Sequence, residues 1–167
     1  MSEEYLQVPP PSQVGKKQFD RLAEIPPYNF DDYGEGLCRR RIRLIKDSDD
    51  RTIGELEDDF HHFRVELTHD NDKILSVAGE ILRAPWSTCS EANLPLQRII
   101  GSSLSSDSTA IGGYAIPTSN CTHLFDLTGL VISHTVQEHH TRQYDLLVTD
   151  LSDGEQDLIL WRDGELI

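Results

Sequence analysis

Residues 60–69 have the sequence FHHFRVELTH, in which apolar and polar side chains alternate. This period of two is typical of a β-strand with one face on the core and the other toward solvent. One face carries His61, Phe63, Val65 and Leu67, and the other carries His62, Arg64, Glu66 and Thr68. The pattern therefore predicts that His61 shares the core face, whereas His62 meets solvent or Glu66.

Strand signals continue on both sides of this segment. β-Branched and apolar residues predict further strands at residues 39–46, 51–58, 73–82, 144–149 and 157–161. Acidic turns separate the earlier strands, and Ser152-Asp153-Gly154 separates the last two, which indicates antiparallel hairpins.

Two segments have helical spacing instead. One begins after Trp86 and ends at Gly101, and the other runs from Cys121 to about Glu138 with Asn120 as its N-cap. The predicted fold class is α+β, an antiparallel sheet of three or four strands packed by two main helices, with a C-terminal β-hairpin. The Ser- and Gly-rich residues 102–118 between the helices predict a mobile loop.

The first 36 residues differ in composition from the rest. Proline clusters at residues 9–11 and 26–27 are interspersed with aromatic residues, which predicts an extended arm over residues 1–36 and a single α+β domain over residues 37–167. Because its aromatic residues favour docking, we expect the arm to lie on the domain or on a neighbouring subunit, as a possible homodimer contact.

The composition and net charge of the chain limit the kinds of partner that it can bind. The 15 Lys and Arg against 29 Asp and Glu give a net charge of −14, which argues against nucleic acid. The basic cluster at residues 39–43 is expected to form internal ion pairs. There is no long apolar run for a membrane span or signal peptide, so we expect a cytoplasmic protein. Three cysteines in a chain of 167 residues argue against a disulfide framework.

Two cysteines indicate metal binding or nucleophilic thiol chemistry. Cys89 and Cys121 each lie at the start of a predicted helix, and a helix N-terminus stabilises the thiolate form that binds metals or acts as a nucleophile. His123 and His61 add imidazole ligands for zinc or iron, and Asp59 adds a carboxylate. The alternative is that both cysteines simply pack in the core. Trp86 fits either a core anchor or the wall of a substrate pocket.

Four stretches resemble the bacterial family of domain of unknown function 2889. They are residues 40–44 (RRIRL), 55–63 (ELEDDFHHF), 83–89 (RAPWSTC) and 121–127 (CTHLFDL). The resemblance extends over about residues 39–164, and it implies no activity.

A more distant resemblance is to iron-sulfur scaffold proteins of the NifU and SufE type, over roughly residues 53–138. It places Asp59 where those proteins have their first cysteine and His61 where they have an aspartate. Cys89 and Cys121 take the other two cysteine positions. With one thiolate missing, the resemblance implies a single metal ion with an open position rather than a cluster.

Three functions follow from these residues. The first is a small soluble enzyme, a lyase or hydrolase, in which a metal at His61, Cys89 and Cys121 polarises a small organic substrate while Asp59 or His123 moves protons. A metal-free form would use Cys121 as the nucleophile. The second is a metal or iron-sulfur carrier. The third is a binding module with structural cysteines.

Overall fold

A computed structural model of the chain describes residues 37–85, 94–149 and 154–167. The strands are β1 (Leu37–Ser48), β2 (Arg51–Asp58), β3 (His62–His69), β4 (Ile74–Arg83), β5 (Thr141–Thr149), β6 (Leu158–Arg162) and β7 (Glu165–Leu166). The described helices are three 3₁₀ helices, Leu94–Ile99, Ser108–Gly113 and Pro117–Ser119, and the α-helix α1 (Thr122–Thr135). All strands join one antiparallel sheet in the order β4-β3-β2-β1-β5-β6-β7.

The prediction of an α+β fold, with three or four strands packed by two main helices, is wrong, because the described residues form mainly one seven-stranded antiparallel sheet with few helices. The long strand β1 pairs with β2 on one side and with β5 on the other, so the C-terminal strands extend the main sheet and form no separate hairpin. The β1–β5 contact joins Cys38 to Val148 and Ile45 to Thr141. Strand propensity does not specify such long-range partners.

The helix predicted after Trp86 is also different. Its described part is the 3₁₀ helix Leu94–Ile99, and the predicted start lies outside the described residues. Pro95 gives the physical reason, since a proline inside an α-helix removes one hydrogen bond and clashes with the preceding turn.

Helix α1 packs against β1, β2 and β3 and closes the main core. Leu124, Leu127 and Val131 of α1 are buried, as are the strand residues Phe63, Val65 and Leu67. The predicted apolar strand face is therefore confirmed. Gly54 allows α1 to lie close to β2, because a Cβ there would lie 2.5 Å from Val131 Cγ2.

The ends of α1 differ from the prediction. Cys121, not Asn120, is the N-cap, while Asn120 follows the preceding 3₁₀ helix and its side-chain amide donates to the Ile116 carbonyl at 2.8 Å. The helix ends at Thr135, three residues before Glu138. Cys121 makes no side-chain capping hydrogen bond, so its thiol is not committed to the helix end.

The segment predicted as a mobile loop packs on α1. Its 3₁₀ helix Ser108–Gly113 is capped by Asp107, whose carboxylate accepts from the Thr109 amide at 2.8 Å. Gly129 of α1 lies directly beneath it, since a Cβ at Gly129 would lie 2.3 Å from the Ser108 carbonyl oxygen. Gly129 therefore allows the close contact, at some cost in helix propensity.

The sheet face opposite α1 is rich in buried charge. Its ion pairs include Arg41–Asp145 (2.6 Å), Arg43–Glu55 (3.4 Å) and Arg83–Glu57 (3.0 Å), which confirms internal ion pairing for the basic cluster. His62 lies on this face and is only 2% exposed. The prediction that His62 meets solvent or Glu66 is therefore wrong.

Two further predictions concern the N-terminal arm and membrane-spanning segments. The arm, residues 1–36, lies outside the described residues together with its proposed dimer contact. Within the described ranges, no helix has both the length and the apolar character needed to cross a membrane.

Candidate metal centre

The candidate site forms at the turn between β2 and β3. Atom Oδ1 of Asp58, the last residue of β2, accepts hydrogen bonds from the amides of Phe60 (3.0 Å) and His61 (2.8 Å). This is the side-chain turn that Asp favours. The Asp58 amide in turn donates to the His61 carbonyl at 2.9 Å. Asp58 therefore fixes the backbone that presents both Phe60 and His61.

The same carboxylate also orients the His61 ring. Nδ1 of His61 lies 2.8 Å from Asp58 Oδ1, so the carboxylate fixes the orientation of the imidazole. The His61 side chain is 16% exposed, which leaves it accessible from one side.

His123, in the first turn of α1, completes the group. Its ring centroid lies 4.0 Å from that of His61, with 34° between the ring planes. The buried Phe63 contacts both imidazoles, at centroid distances of 5.4 Å to His61 and 5.7 Å to His123. The two imidazole rings therefore lie next to each other, and both contact the Phe63 ring.

Arg40 connects the carboxylate to the second imidazole. Its Nε and Nη2 donate to Asp58 Oδ2 at 3.1 and 2.7 Å, and Nη2 lies 3.2 Å from His123 Nε2. A guanidinium only donates, so His123 Nε2 is the acceptor and the ring proton of neutral His123 lies on Nδ1. Arg40 and Asp58 are register partners on β1 and β2.

The protonation states follow from these contacts. Burial favours a raised pKa for Asp58, but the hydrogen bonds from the Phe60 amide, Arg40 and His61 outweigh it and lower that pKa. Burial, followed by electrostatic interactions with His61 and Arg40, lowers the pKa of His123. The site therefore combines an ionised carboxylate with a neutral imidazole at neutral pH, which is the ligand form that metals require.

Asp58, His61 and His123 each offer one ligand atom, and these atoms lie within 4.8 Å of one another. Nitrogen and oxygen ligands of this kind suit zinc and other divalent ions. Three protein ligands would leave a position for water or substrate.

The predicted site residues have different positions. His61 and His123 come together as ligand candidates, whereas Asp59 and Cys121 are not members of the described group. Cys121 is half-buried against the core cluster. Burial raises the pKa of Asp59, and the charge of Arg83 partly opposes the rise. Cys89 and Trp86 lie outside the described residues, so their roles stay predictions.

Sequence reasoning missed Asp58 and Arg40. The spacing of Asp58 ahead of Phe60 and His61 is a turn signal that points to Asp58 as the residue holding His61. Arg40 requires the strand register, which places it directly across from Asp58.

The chain is thus a protein with a seven-stranded antiparallel sheet and a candidate metal site. The site has one carboxylate and two imidazoles, and it lies between the β2–β3 turn and the N-terminus of α1. Residues 43–137, more than half of the chain, match the family described as protein of unknown function (DUF2889), and the chain belongs to that family. The match includes Asp58, His61 and His123. No curated protein matches the chain in sequence. The resemblance to NifU and SufE proteins is not shown, and the fold predicted with it differs from the observed sheet.

Proposed function

We propose that the chain is a small metal-dependent enzyme of the lyase or hydrolase type, with one divalent ion bound by Asp58, His61 and His123. The observation that carries the proposal is the convergence of these three ligand atoms within 4.8 Å. The carboxylate comes from the end of a strand, and the imidazoles come from a turn and a helix.

Arg40 supports this assignment. It supplies the positive charge beside Asp58, at the position where a divalent ion would supply it. Asp58 Oδ1 already accepts from the turn amides of Phe60 and His61, whereas the hydrogen-bond donors to Oδ2 belong to Arg40. We therefore assign Oδ2 as the metal ligand. The Arg40 side chain is 35% exposed, so it has room to turn outward when the metal binds.

The bound ion would act as a Lewis acid. It would polarise a carbonyl or hydroxyl oxygen of a small organic substrate at the coordination position left open by the protein ligands. Asp59 is a candidate for proton transfer, because burial moves its pKa toward the range useful to a general acid or base. A thiol mechanism through Cys121 stays an alternative, favoured only by its free and half-buried position beside Thr122 and His123.

The test begins with zinc, manganese and iron titrations of the full chain and of His61→Ala and His123→Ala. The matched control is His139→Ala, because His139 is exposed and lies after α1. We expect one bound ion in the wild type and the control, and at least a tenfold weaker affinity in the two site variants. No metal in the wild type, or equal affinity in all proteins, would contradict the site.

A second step separates an enzyme from a carrier. The metal-loaded protein is assayed against small esters, lactones and β-hydroxy carbonyl compounds, with His61→Ala as the negative control. Turnover that requires His61 supports the proposal. Metal binding without turnover across these substrates would contradict the enzyme and favour the carrier.

A further inference from the structure

An aromatic side chain stands exposed beside the candidate metal centre. Phe60 is 62% exposed, although burying a phenylalanine is worth about 2 kcal/mol. Its amide is held by Asp58, and its ring lies 6.4 Å from the His61 ring in an edge-on arrangement. The turn therefore presents an apolar surface to solvent at a fixed place next to the ligands.

The same group of residues includes a cationic donor, Arg40. Arg40 uses Nε and Nη2 on Asp58 and His123, and within the described residues no hydrogen bond involves Nη1. A guanidinium has five N–H donors, two of them on Nη1. Arg40 can therefore receive an anionic group without leaving Asp58, and it gains freedom when a metal replaces it there.

We infer that the site takes a small monocarboxylate with an aromatic or other apolar group, whose carboxylate pairs with Arg40 and whose apolar part packs on Phe60. This inference rests on the proposed function and names its substrate class. Charge favours a monoanion, because a chain of net charge −14 repels phosphates and other polyanions more strongly. Guanidinium recognition of a carboxylate supplies orientation as well as affinity.

Three small-molecule probes separate the contribution of the Arg40 contact from that of the Phe60 contact. Benzoate carries both groups, benzamide replaces the carboxylate with a neutral amide, and acetate lacks the ring. Affinities are measured by ligand-observed NMR on the full chain, with and without zinc, because a bound metal also attracts carboxylates. We expect the wild type to bind benzoate about tenfold more tightly than either other probe.

Each variant should remove one preference. Phe60→Ala should bring benzoate to within about twofold of acetate, and the exposed control Leu158→Ala on β6 should leave the ratio unchanged. Arg40→Gln should remove the preference for benzoate over benzamide in metal-free protein. Near-ultraviolet circular dichroism checks that each variant keeps its packing.

The possible failures are distinguishable. Selectivity that depends on Arg40 and Phe60 in a protein that takes up no metal would support the substrate class and contradict the proposed metal. Metal binding with no benzoate preference at 10 mM, on the order of the weakest useful affinity, would overturn this inference and leave the metal centre intact. Preferences unchanged in both variants would overturn it as well.

Discussion

Asp58 and Asp59 are adjacent acids for which the structure predicts opposite effects of substitution. Asp58 accepts three hydrogen bonds at Oδ1 and two from Arg40 at Oδ2. Asp59 is half-buried, and no hydrogen bond to its carboxylate is seen within the described residues. Replacing each with asparagine keeps the side-chain shape, removes the charge and replaces one acceptor oxygen with an NH₂ donor, so the pair is a matched comparison.

The expected loss of unfolding free energy in Asp58→Asn has two contributions. The charge-assisted bonds from Arg40 are worth about 1–1.5 kcal/mol after a discount for the exposure of Arg40. The new amide group must also face either Arg40 or the donors of the turn, which leaves donors unsatisfied at a cost of about 1 kcal/mol. We therefore expect the free energy of unfolding to fall by roughly 2–2.5 kcal/mol for Asp58→Asn.

For Asp59→Asn we expect a change within about 0.5 kcal/mol. Its sign should be stabilising at pH 7, because burial raises the pKa of Asp59 and folding therefore disfavours its charged form. Urea denaturation followed by tryptophan fluorescence measures both variants at pH 7. Equal destabilisation by the two substitutions would refute the assignment of the turn to Asp58.

The pH dependence gives the same prediction an independent check. Since the pKa of Asp58 is lower in the folded state than in the unfolded state, its contribution is present above the unfolded pKa of about 4. It is lost as the pH falls through the folded value. The difference between wild type and Asp58→Asn should therefore be full at pH 6 and shrink below about pH 4. A difference that grows toward low pH would contradict the reasoning.

Three other predictions concern core packing, buried histidine and the competition of Arg40 with a metal ion. Gly54→Ala and Gly129→Ala should each destabilise the protein by about 1–3 kcal/mol, because the added Cβ would clash with Val131 or with the Ser108 carbonyl, respectively. The control Gly113→Ala has open space around it and should leave stability unchanged. Thermal denaturation measures all three variants, and unchanged stability in Gly54→Ala would contradict the packing of α1 on β2. The unfolding free energy should fall between about pH 6.5 and 4, because burial lowers the pKa of His62 and of His134 to about 4 and the unfolded histidines take up protons first. His62→Gln should make that fall smaller, and an unchanged pH profile would argue against a buried neutral His62. Arg40→Gln should tighten zinc binding several-fold by removing a competing cation, which calorimetry measures, and weaker binding would show that Arg40 supports the metal instead.

Much of the local structure could be predicted from sequence, and the long-range pairing could not. Alternation places Phe63, Val65 and Leu67 in the core, and the apolar spacing around Leu124 and Leu127 identifies α1. Alternation alone does not reveal that the opposite face is also buried, as it is at His62.

The candidate site shows the same division. His61 and His123 are recognisable as ligands from residue type, and the structure places their rings 4.0 Å apart. Choosing Asp58 over Asp59 depends on which carboxylate turns back to accept the amides of the next residues, and Arg40 depends on the β1–β2 register. Both are properties of backbone geometry, which residue types alone leave open.

We expect one metal ion to bind between Asp58, His61 and His123. The most direct measurement is anomalous diffraction at the zinc edge from crystals of the full chain grown with zinc. One peak is expected, about 2.0–2.2 Å from a carboxylate oxygen of Asp58 and a ring nitrogen of each histidine. A peak bound by Cys89 and Cys121, or no peak at the Asp58 turn, would contradict it.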